Sequence, residues 1–199
     1  MAPISLILSL AIGPEVIVIG AFVLVALIWV IATYNGLVRT RNHTDESWSG
    51  VDTELKRRYD LIPNLVNTVQ GYAKHERETF ERVIAARNRA EANHGSPEEQ
   101  ARDENALVGG LKQLFAVAEG YPDLKASRSF LALQEELITT ENRIQRARRF
   151  YNANVRDLAN RIETFPSNVI AGMFGFEKRE FFEIEDSSQR ENPSIDFTD

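Results

Sequence analysis

The residues of this sequence that could do acid–base or metal chemistry near neutral pH are three histidines, His43, His75 and His94. One of them follows a glutamate at the spacing Glu-x-x-His, in the stretch EANH at residues 91–94. In helical bundles that hold two iron ions, this spacing places a carboxylate and an imidazole on one helix face. Such a site needs two of these motifs and two further carboxylates, and the sequence has one motif, at a predicted helix end. A metal-dependent enzyme is therefore a weak alternative, and we predict no metal ligand.

Other residue types that support catalysis are absent or uninformative. The sequence has no cysteine, which excludes a thiol nucleophile, a zinc–thiolate site and a disulfide. It contains no GxSxG, Walker A, GxGxxG or HExxH pattern. Carboxylates such as Glu54, Glu76, Glu136 and Glu141 fit the solvated faces of bundle helices. We therefore expect no enzyme, no catalytic or cofactor-binding residue and no cofactor.

The negative charge is concentrated at the C-terminus. Residues 177–199 contain eight acidic and three basic residues, which leaves a net charge of −1 for the rest of a chain whose total is −6. A general nucleic-acid binder would present a net basic face instead. We therefore predict no nucleic-acid partner, and we interpret residues 185–199 as an acidic disordered tail.

Near the N-terminus an uncharged segment is long enough to cross a bilayer. No residue from Val16 to Val38 is charged, and the 17 residues at 16–32 are almost wholly apolar. As a helix they would extend over roughly 26 Å, close to the thickness of a hydrocarbon core. A cleaved signal peptide is the alternative, but the segment has no preceding basic residue and is longer than a usual signal core. We predict a transmembrane helix at about residues 15–34 within an N-terminal segment, residues 1–35.

The charges beside this segment predict its orientation. Only Glu15 precedes it, whereas Arg39 and Arg41 follow it closely. The positive-inside rule then places the N-terminus outside and the C-terminal body in the cytoplasm of a single-pass protein of the cell, or inner, membrane.

After the membrane segment, apolar residues recur at helical spacing in four blocks. The last block is the clearest, with six apolar residues each seven positions apart: Phe130, Leu137, Ile144, Tyr151, Leu158 and Phe165. A seven-residue repeat over this length indicates helices packed at a shallow angle, as in a bundle or coiled coil. We predict an all-α fold in which residues 36–184 form a long antiparallel four-helix bundle.

The breaks between the blocks follow from local chemistry. HGSPEE at 94–99 supplies a glycine stop, a serine N-cap and a proline at the first helical position, and GYPDLKAS at 120–127 marks the next junction. Within LKRRYDLIPNLVNTV, Pro63 should push Ile62 out of helical geometry, and Asp60 could cap the next helix. We therefore predict a hairpin at Pro63. The alternative is one kinked helix over residues 36–92, which gives three helices.

Two long stretches resemble a known family. YNGLVRTRNHTDESWSGVDTELKRRYDLIPNLVNTVQGYAKHE (34–76) and ENRIQRARRFYNANVRDLANRIETFPSNVIAGMFGF (141–176) are similar to the LemA family of bacterial proteins. The resemblance covers residues 16–184, and the elements RRxDLIPNLV and FPSNxIA carry most of it. It implies a membrane-anchored antiparallel helical bundle of poorly defined function, with no established catalytic residue. We expect the acidic tail to lie outside the resemblance.

These observations favour a membrane-anchored, non-enzymatic scaffold or adaptor that presents its bundle to protein partners in the same membrane. The alternative is a self-assembling, membrane-organising protein, and hence a homo-oligomer, that contacts lipid through the aromatic segment 165–182. That segment could also bind a partner or simply cap the bundle. The residues that we predict as an interaction surface are Lys56, Arg57, Arg58, Asp60, Pro63, Asn64, Pro166, Ser167 and Asn168.

Overall fold

The computed structural model describes residues 13–184, and every regular element in that range is an α-helix. The helices are α1 (Pro14–Gln70), α2 (Arg77–Ala92), α3 (Pro97–Glu119), α4 (Pro122–Lys125), α5 (Arg128–Glu163) and α6 (Ser167–Met173). The predicted all-α class is confirmed. The acidic tail at 185–199 lies outside the described residues, so its predicted disorder stays a prediction.

The chain divides into two compact units. The described residues of the first unit are 13–44 and 156–179, and those of the second are 45–155 and 180–184. Helices α1 and α5 therefore contribute residues to both units. The predicted boundary between a membrane segment and a body at residue 35 stays a prediction.

The first unit contains the apolar segment of α1. Over 18 residues its mean hydropathy reaches 2.9, and none of that stretch is buried. Every residue from Val16 to Trp29 is exposed, including large side chains such as Phe22 and Leu24. A helix with apolar side chains on all sides and no protein cover matches a lipid environment. Within residues 13–184, this is the one helix long and apolar enough for single-pass anchoring.

In the second unit, the part of α1 from residue 45 to its end packs with α2, α3 and α5 as an antiparallel four-helix bundle. The ring of Trp48 in α1 lies 5.1 Å from that of Tyr151 in α5, whereas further along α1 Arg58 contacts Glu141, which precedes Tyr151 in α5. These two contacts show that α1 and α5 run in opposite directions. The predicted four-helix bundle is confirmed.

The seven-residue repeat of α5 forms the core as predicted, except at its last member. Five of the six repeat residues are buried, namely Phe130, Leu137, Ile144, Tyr151 and Leu158. Phe165 is 77% exposed, so its predicted core position is wrong. The physical reason is that α5 ends at Glu163, and Pro166 comes three residues later, so the helical register does not continue to Phe165.

The serine N-cap and the proline at the first helical position that were predicted at HGSPEE are confirmed. The predicted glycine stop is wrong, because the C-cap of α2 is Asn93 in an extended conformation. Helix α2 ends at Ala92 and α3 begins at Pro97 with Ser96 as its N-cap. The Ser96 hydroxyl accepts from the backbone N–H of Glu99, and the Glu99 carboxylate accepts from the backbone N–H of Ser96 at 3.1 Å. This reciprocal capping box satisfies two of the orphan N–H groups at the start of α3.

The predicted hairpin at Pro63 is wrong, because α1 runs through it to Gln70. The chain reverses instead between Gly71 and Glu76, so the alternative of one helix over residues 36–92 is wrong as well. The residues around Pro63 explain the outcome, because Leu61, Ile62 and Leu65 are all buried. Packing of this apolar face outweighs the local preference of proline to end a helix.

A side chain from α2 compensates for the hydrogen bond that Pro63 cannot make. Proline has no N–H, so the carbonyl of Tyr59, four residues earlier, loses its helical donor. Arg87 of α2 donates from Nε to that carbonyl at 3.1 Å. The Arg87 guanidinium is itself held by Glu91, one turn further along α2. The proline is therefore tolerated because a neighbouring helix supplies the missing donor.

We predict that Arg87→Leu lowers the free energy of unfolding by about 1–3 kcal/mol, because the partly buried carbonyl of Tyr59 is left without a donor. Adding Pro63→Ala should recover much of this loss, since an alanine has a backbone N–H that can donate to that carbonyl. Chemical unfolding of the full chain in detergent measures both effects. Arg82→Leu in the same helix is the control, because the contacts that the structure describes for Arg82 are exposed ones, to the carboxylate and carbonyl of Glu78 in its own helix. Equal losses for the two arginines, or no recovery with Pro63→Ala, would contradict this account.

Candidate functional site

The polar centre of the body is an ion pair between Arg58 of α1 and Glu104 of α3, whose side chains are 2% and 0% exposed. Arg58 also donates from Nη1 to Oε2 of Glu141 in α5 at 2.8 Å. Its Nε is buried without a hydrogen-bond partner in the described part of the chain. One guanidinium therefore connects three helices where water screens charges poorly.

The carboxylate of Glu104 has neutral donors as well. The hydroxyl of Tyr59 donates to Oε1 of Glu104, and Nε2 of Gln100 donates to the same oxygen at 3.0 Å. Burial raises the pKa of Tyr59 far above its ordinary value, and the adjacent Glu104 carboxylate raises it further. The phenol therefore stays protonated and acts as a donor. The network consequently compensates its own charges and holds α1, α3 and α5 together.

The inclusion of Arg58 in the predicted interaction surface is wrong, because this residue is buried in the core. The sequence contained a signal for this. Arg58 lies three residues after Leu55 and four before Ile62, both of which are core positions of α1. Glu104, which the sequence reasoning missed, likewise lies three residues before Leu107 of the α3 core. Two opposite charges at apolar positions of two helices are the pattern of a buried pair.

The other predicted residues of α1 remain at the surface. Lys56, Arg57, Asp60 and Asn64 are exposed, and Pro63 is half-buried. Their spacing places them on one side of α1, opposite the core positions. Arg57 pairs with Glu54 at 3.3 Å within the same helix. The structure thus shows a polar stripe on α1, and its role in binding stays a prediction.

In the first unit, α6 and the residues after it pack against α1. Ile170 and Ala171 are buried against Leu37, and Val30 also packs against this cluster. The ring of Tyr34 lies 4.8 Å from that of Phe174. Pro166 and Asn168 of the predicted surface are exposed, and Ser167 is half-buried. The segment therefore attaches to α1 beside the end of the apolar stretch.

The opposite side of this segment exposes large apolar side chains. Phe165, Val169 and Met173 are spaced four residues apart and are 77%, 51% and 73% exposed, and Phe174 is 53% exposed. Val169 and Met173 share one face of α6, and Phe165 lies in the turn that precedes this helix. Exposed apolar side chains grouped in this way are typical of surfaces that contact lipid or a protein partner.

A half-open cavity of about 270 Å³ lies between α3 and α5 in the body. Its walls are mostly apolar, with Leu111 and Phe115 from α3 and Ile138 and Ile144 from α5. The charged residues that also line it are Arg58, Lys112, Glu141 and Arg148. This volume is just below the usual range of small-molecule pockets, roughly 300–1,000 Å³, and suits a few side chains better than a large cofactor.

The histidine of the Glu-x-x-His motif does not meet other metal-binding side chains. His94 is exposed, and Glu91 of the same motif pairs with Arg87. Among residues 13–184, no three His, Asp or Glu side chains are grouped so that they could hold a metal ion.

We predict that Glu104→Leu lowers the free energy of unfolding by about 3–5 kcal/mol, because it leaves the Arg58 guanidinium buried without its main counter-charge. The double variant Arg58→Met/Glu104→Leu should be less destabilised than Glu104→Leu alone. Glu98→Leu, which removes an exposed pair with Arg102 in the same helix, is the control and should have a small effect. Chemical unfolding of the full chain in detergent measures all three. A loss for Glu104→Leu no larger than for Glu98→Leu would show that the ion pair does not stabilise the bundle.

Comparison with known proteins places the chain in a family. The sequence pattern of the LemA family matches residues 47–197. The match begins after the apolar segment of α1 and continues into the acidic tail. Our expectation that the tail lies outside the family resemblance is therefore wrong.

Named relatives support the same assignment. Protein LemA of Metamycoplasma hominis is 29% identical over 140 residues, which cover 69% of this chain and 63% of that protein. Magnetosome protein MamQ 2 of Paramagnetospirillum magneticum is 26% identical over 175 residues, covering 75% and 64%, respectively. Magnetosome protein MamQ of Magnetospirillum gryphiswaldense is 24% identical over 174 residues, with the same coverage. The chain thus spans slightly less than two thirds of the length of these relatives. Because the family pattern covers well over half of the sequence, the chain belongs to the LemA family.

Proposed function

We propose that this protein is a membrane-anchored, non-enzymatic scaffold whose helical body docks protein partners of the same membrane. The observation that carries the proposal is the polar stripe of α1, namely Lys56, Arg57, Asp60 and Asn64, which stays exposed on a helix whose other side forms the core. The buried charges of Arg58 and Glu104 are used inside the bundle, which leaves recognition to such exposed groups. Rim charges of this kind mainly direct association and partner choice.

The proposal includes the orientation of the chain. Arg39 and Arg41 follow the apolar segment and only Glu15 precedes it in the described residues, which supports a cytoplasmic body of an inner-membrane protein. Because the sequence has no cysteine, Ser96→Cys gives a single label site. Labelling of that cysteine by a membrane-impermeant maleimide in intact cells would contradict this orientation.

We predict that a photo-crosslinking amino acid at Asn64 gives a discrete adduct with a membrane protein in living cells. Lys56→Glu/Arg57→Glu should abolish the adduct, because it reverses the charge of the stripe without changing a buried residue. The control site is Arg102, which is exposed on α3. The same adduct from both sites, or none from Asn64, would argue against docking on this stripe.

A second function is favoured by one specific observation. The exposed apolar side chains of Val169 and Met173 lie on α6, which packs against Leu37 and Val30 of α1 beside the apolar segment, and exposed Phe165 lies in the turn before α6. We propose that this face inserts into the bilayer surface, so that the protein organises membrane through residues 165–174. The end of the predicted segment 165–182 is excluded from lipid contact, because Phe182 is buried in the bundle. Burial of such side chains in lipid would stabilise the contact by roughly 1.5–3 kcal/mol for each.

We predict that an environment-sensitive fluorophore at Val169→Cys or Met173→Cys emits at shorter wavelength in the reconstituted chain than the same fluorophore at Asn160→Cys. Asn160 is an exposed polar residue of the same unit and serves as the control. Lipids that carry a quencher should also dim the first two labels more strongly. Identical emission and quenching at all three sites would contradict lipid contact by this face.

A further inference from the structure

The extended residues 180–184 are held to α5 by hydrogen bonds to their main chain. The hydroxyl of Tyr151 donates to the carbonyl of Glu180 at 2.9 Å. The amide of Asn152 accepts from the N–H of Phe182 at 3.0 Å and donates to its carbonyl at 3.1 Å. Phe182 is buried, and its ring lies 5.2 Å from that of Trp48. This stretch is thus fixed on the body of the bundle.

The contacts of this stretch also define its direction. Asn152 holds residue 182, and Arg148, one turn earlier in α5, donates to the carbonyl of Ile184. The chain therefore runs antiparallel to α5, toward lower residue numbers. The cavity between α3 and α5 lies directly ahead, because Ile184 and Arg148 are part of its lining.

A second, smaller cavity continues along the same two helices. It measures about 150 Å³ and is lined by Phe130 and Leu131 of α5, with Lys125 and Glu119 at its edge. Phe115 lines both cavities. We call the surface formed by the two cavities the α3–α5 groove.

The composition of residues 185–199 is complementary to the α3–α5 groove. The segment has five acidic residues and one basic residue, with two large apolar residues, Ile195 and Phe197. The groove is mostly apolar inside. Lys112 and Arg148 line the first cavity together with Glu141, which is paired with Arg58, and Lys125 lines the second together with Glu119. Opposite charges on two surfaces favour their association and set its register.

The length of the segment allows it to reach both cavities. Arg148 and Leu131 are 17 positions apart in α5, which corresponds to about 26 Å at 1.5 Å per residue. An extended chain covers that distance with about eight residues at 3.3 Å each. Ile195 is 11 residues beyond Ile184, so the connecting chain is longer than the distance to Leu131 requires.

We propose that residues 185–199 bind along the α3–α5 groove of their own chain, with the acidic residues that precede Ile195 near Lys112 and Arg148 and the Ile195–Phe197 segment in the second cavity. The tail then acts as a built-in ligand that covers the apolar groove. Tethering makes its binding intramolecular, with an effective concentration in the millimolar range for a short linker. A partner peptide of the same acidic and apolar chemistry would have to displace it.

The test measures the distance between two spin labels in the full chain, reconstituted in lipid. The chain has no cysteine, so Ser194→Cys in the tail and Ser129→Cys at the start of α5 are the only label sites. Ser129 is exposed and lies two residues from Leu131. We expect one narrow, short distance. Leu131→Glu, at a half-exposed position, and Phe197→Ser, in the tail, should each replace it with a broad, longer distribution.

Phe150→Glu is the control, because Phe150 is 63% exposed on α5 and lines neither cavity. It should leave the narrow distance unchanged. A broad distribution in the unmodified chain, or a narrow one that persists in Leu131→Glu and in Phe197→Ser, would overturn the proposal. Loss of the narrow distance on dilution with unlabelled chain would assign the groove to a second copy instead. Stoichiometric release of a bound lipid or peptide on unfolding would assign it to that molecule.

Discussion

The bundle depends on one buried ion pair, between Arg58 and Glu104. Removing two charges from water is unfavourable, and their attraction offsets this only when the geometry is good and the remaining polar atoms have partners. Tyr59, Gln100 and Glu141 supply partners from three helices, whereas Nε of Arg58 has none in the described part of the chain. Few relative placements of α1, α3 and α5 satisfy all of them at once. The pair therefore acts less as a source of stability than as a constraint on how the helices pack.

Much of the fold could be predicted from the sequence because helix periodicity and capping are local properties. The seven-residue repeat of α5 and the Ser96 cap depend on residues within a few turns of one another, and both appeared as expected. Pro63 could not be predicted in this way. Whether the helix continues through Pro63 depends on Arg87, which is 24 residues away in sequence and donates to the carbonyl that lost its donor to proline. A purely local rule cannot include a donor from another helix.

The candidate surfaces were predicted less well for a similar reason. A run of basic residues at 56–58 looks uniform in sequence, yet helical geometry directs Lys56 and Arg57 outward and Arg58 into the core. Comparing the positions of these three charges with the helical spacing of the apolar residues in α1 would have distinguished buried Arg58 from exposed Lys56 and Arg57. The groove between α3 and α5 could not be predicted, because it arises where residues 107–115 and 137–145 face each other in the folded chain. The spacing of residues within one segment does not predict which residues of another helix will lie opposite it.

The way in which α5 holds residues 180–184 has an evolutionary consequence. Tyr151, Asn152 and Arg148 all bond to main-chain groups of that stretch, which every amino acid except proline offers alike. The route of the stretch is thus encoded in α5 and in the buried side chains of Phe182 and Ile184, and hardly at all in the exposed residues of the stretch. Exposed positions such as Glu180 and Glu183 are consequently free to drift among relatives while the path of the backbone persists. Asn152, by contrast, should be under strong selection. Its side-chain amide both accepts from the N–H and donates to the carbonyl of residue 182, as the backbone of a paired β-strand would.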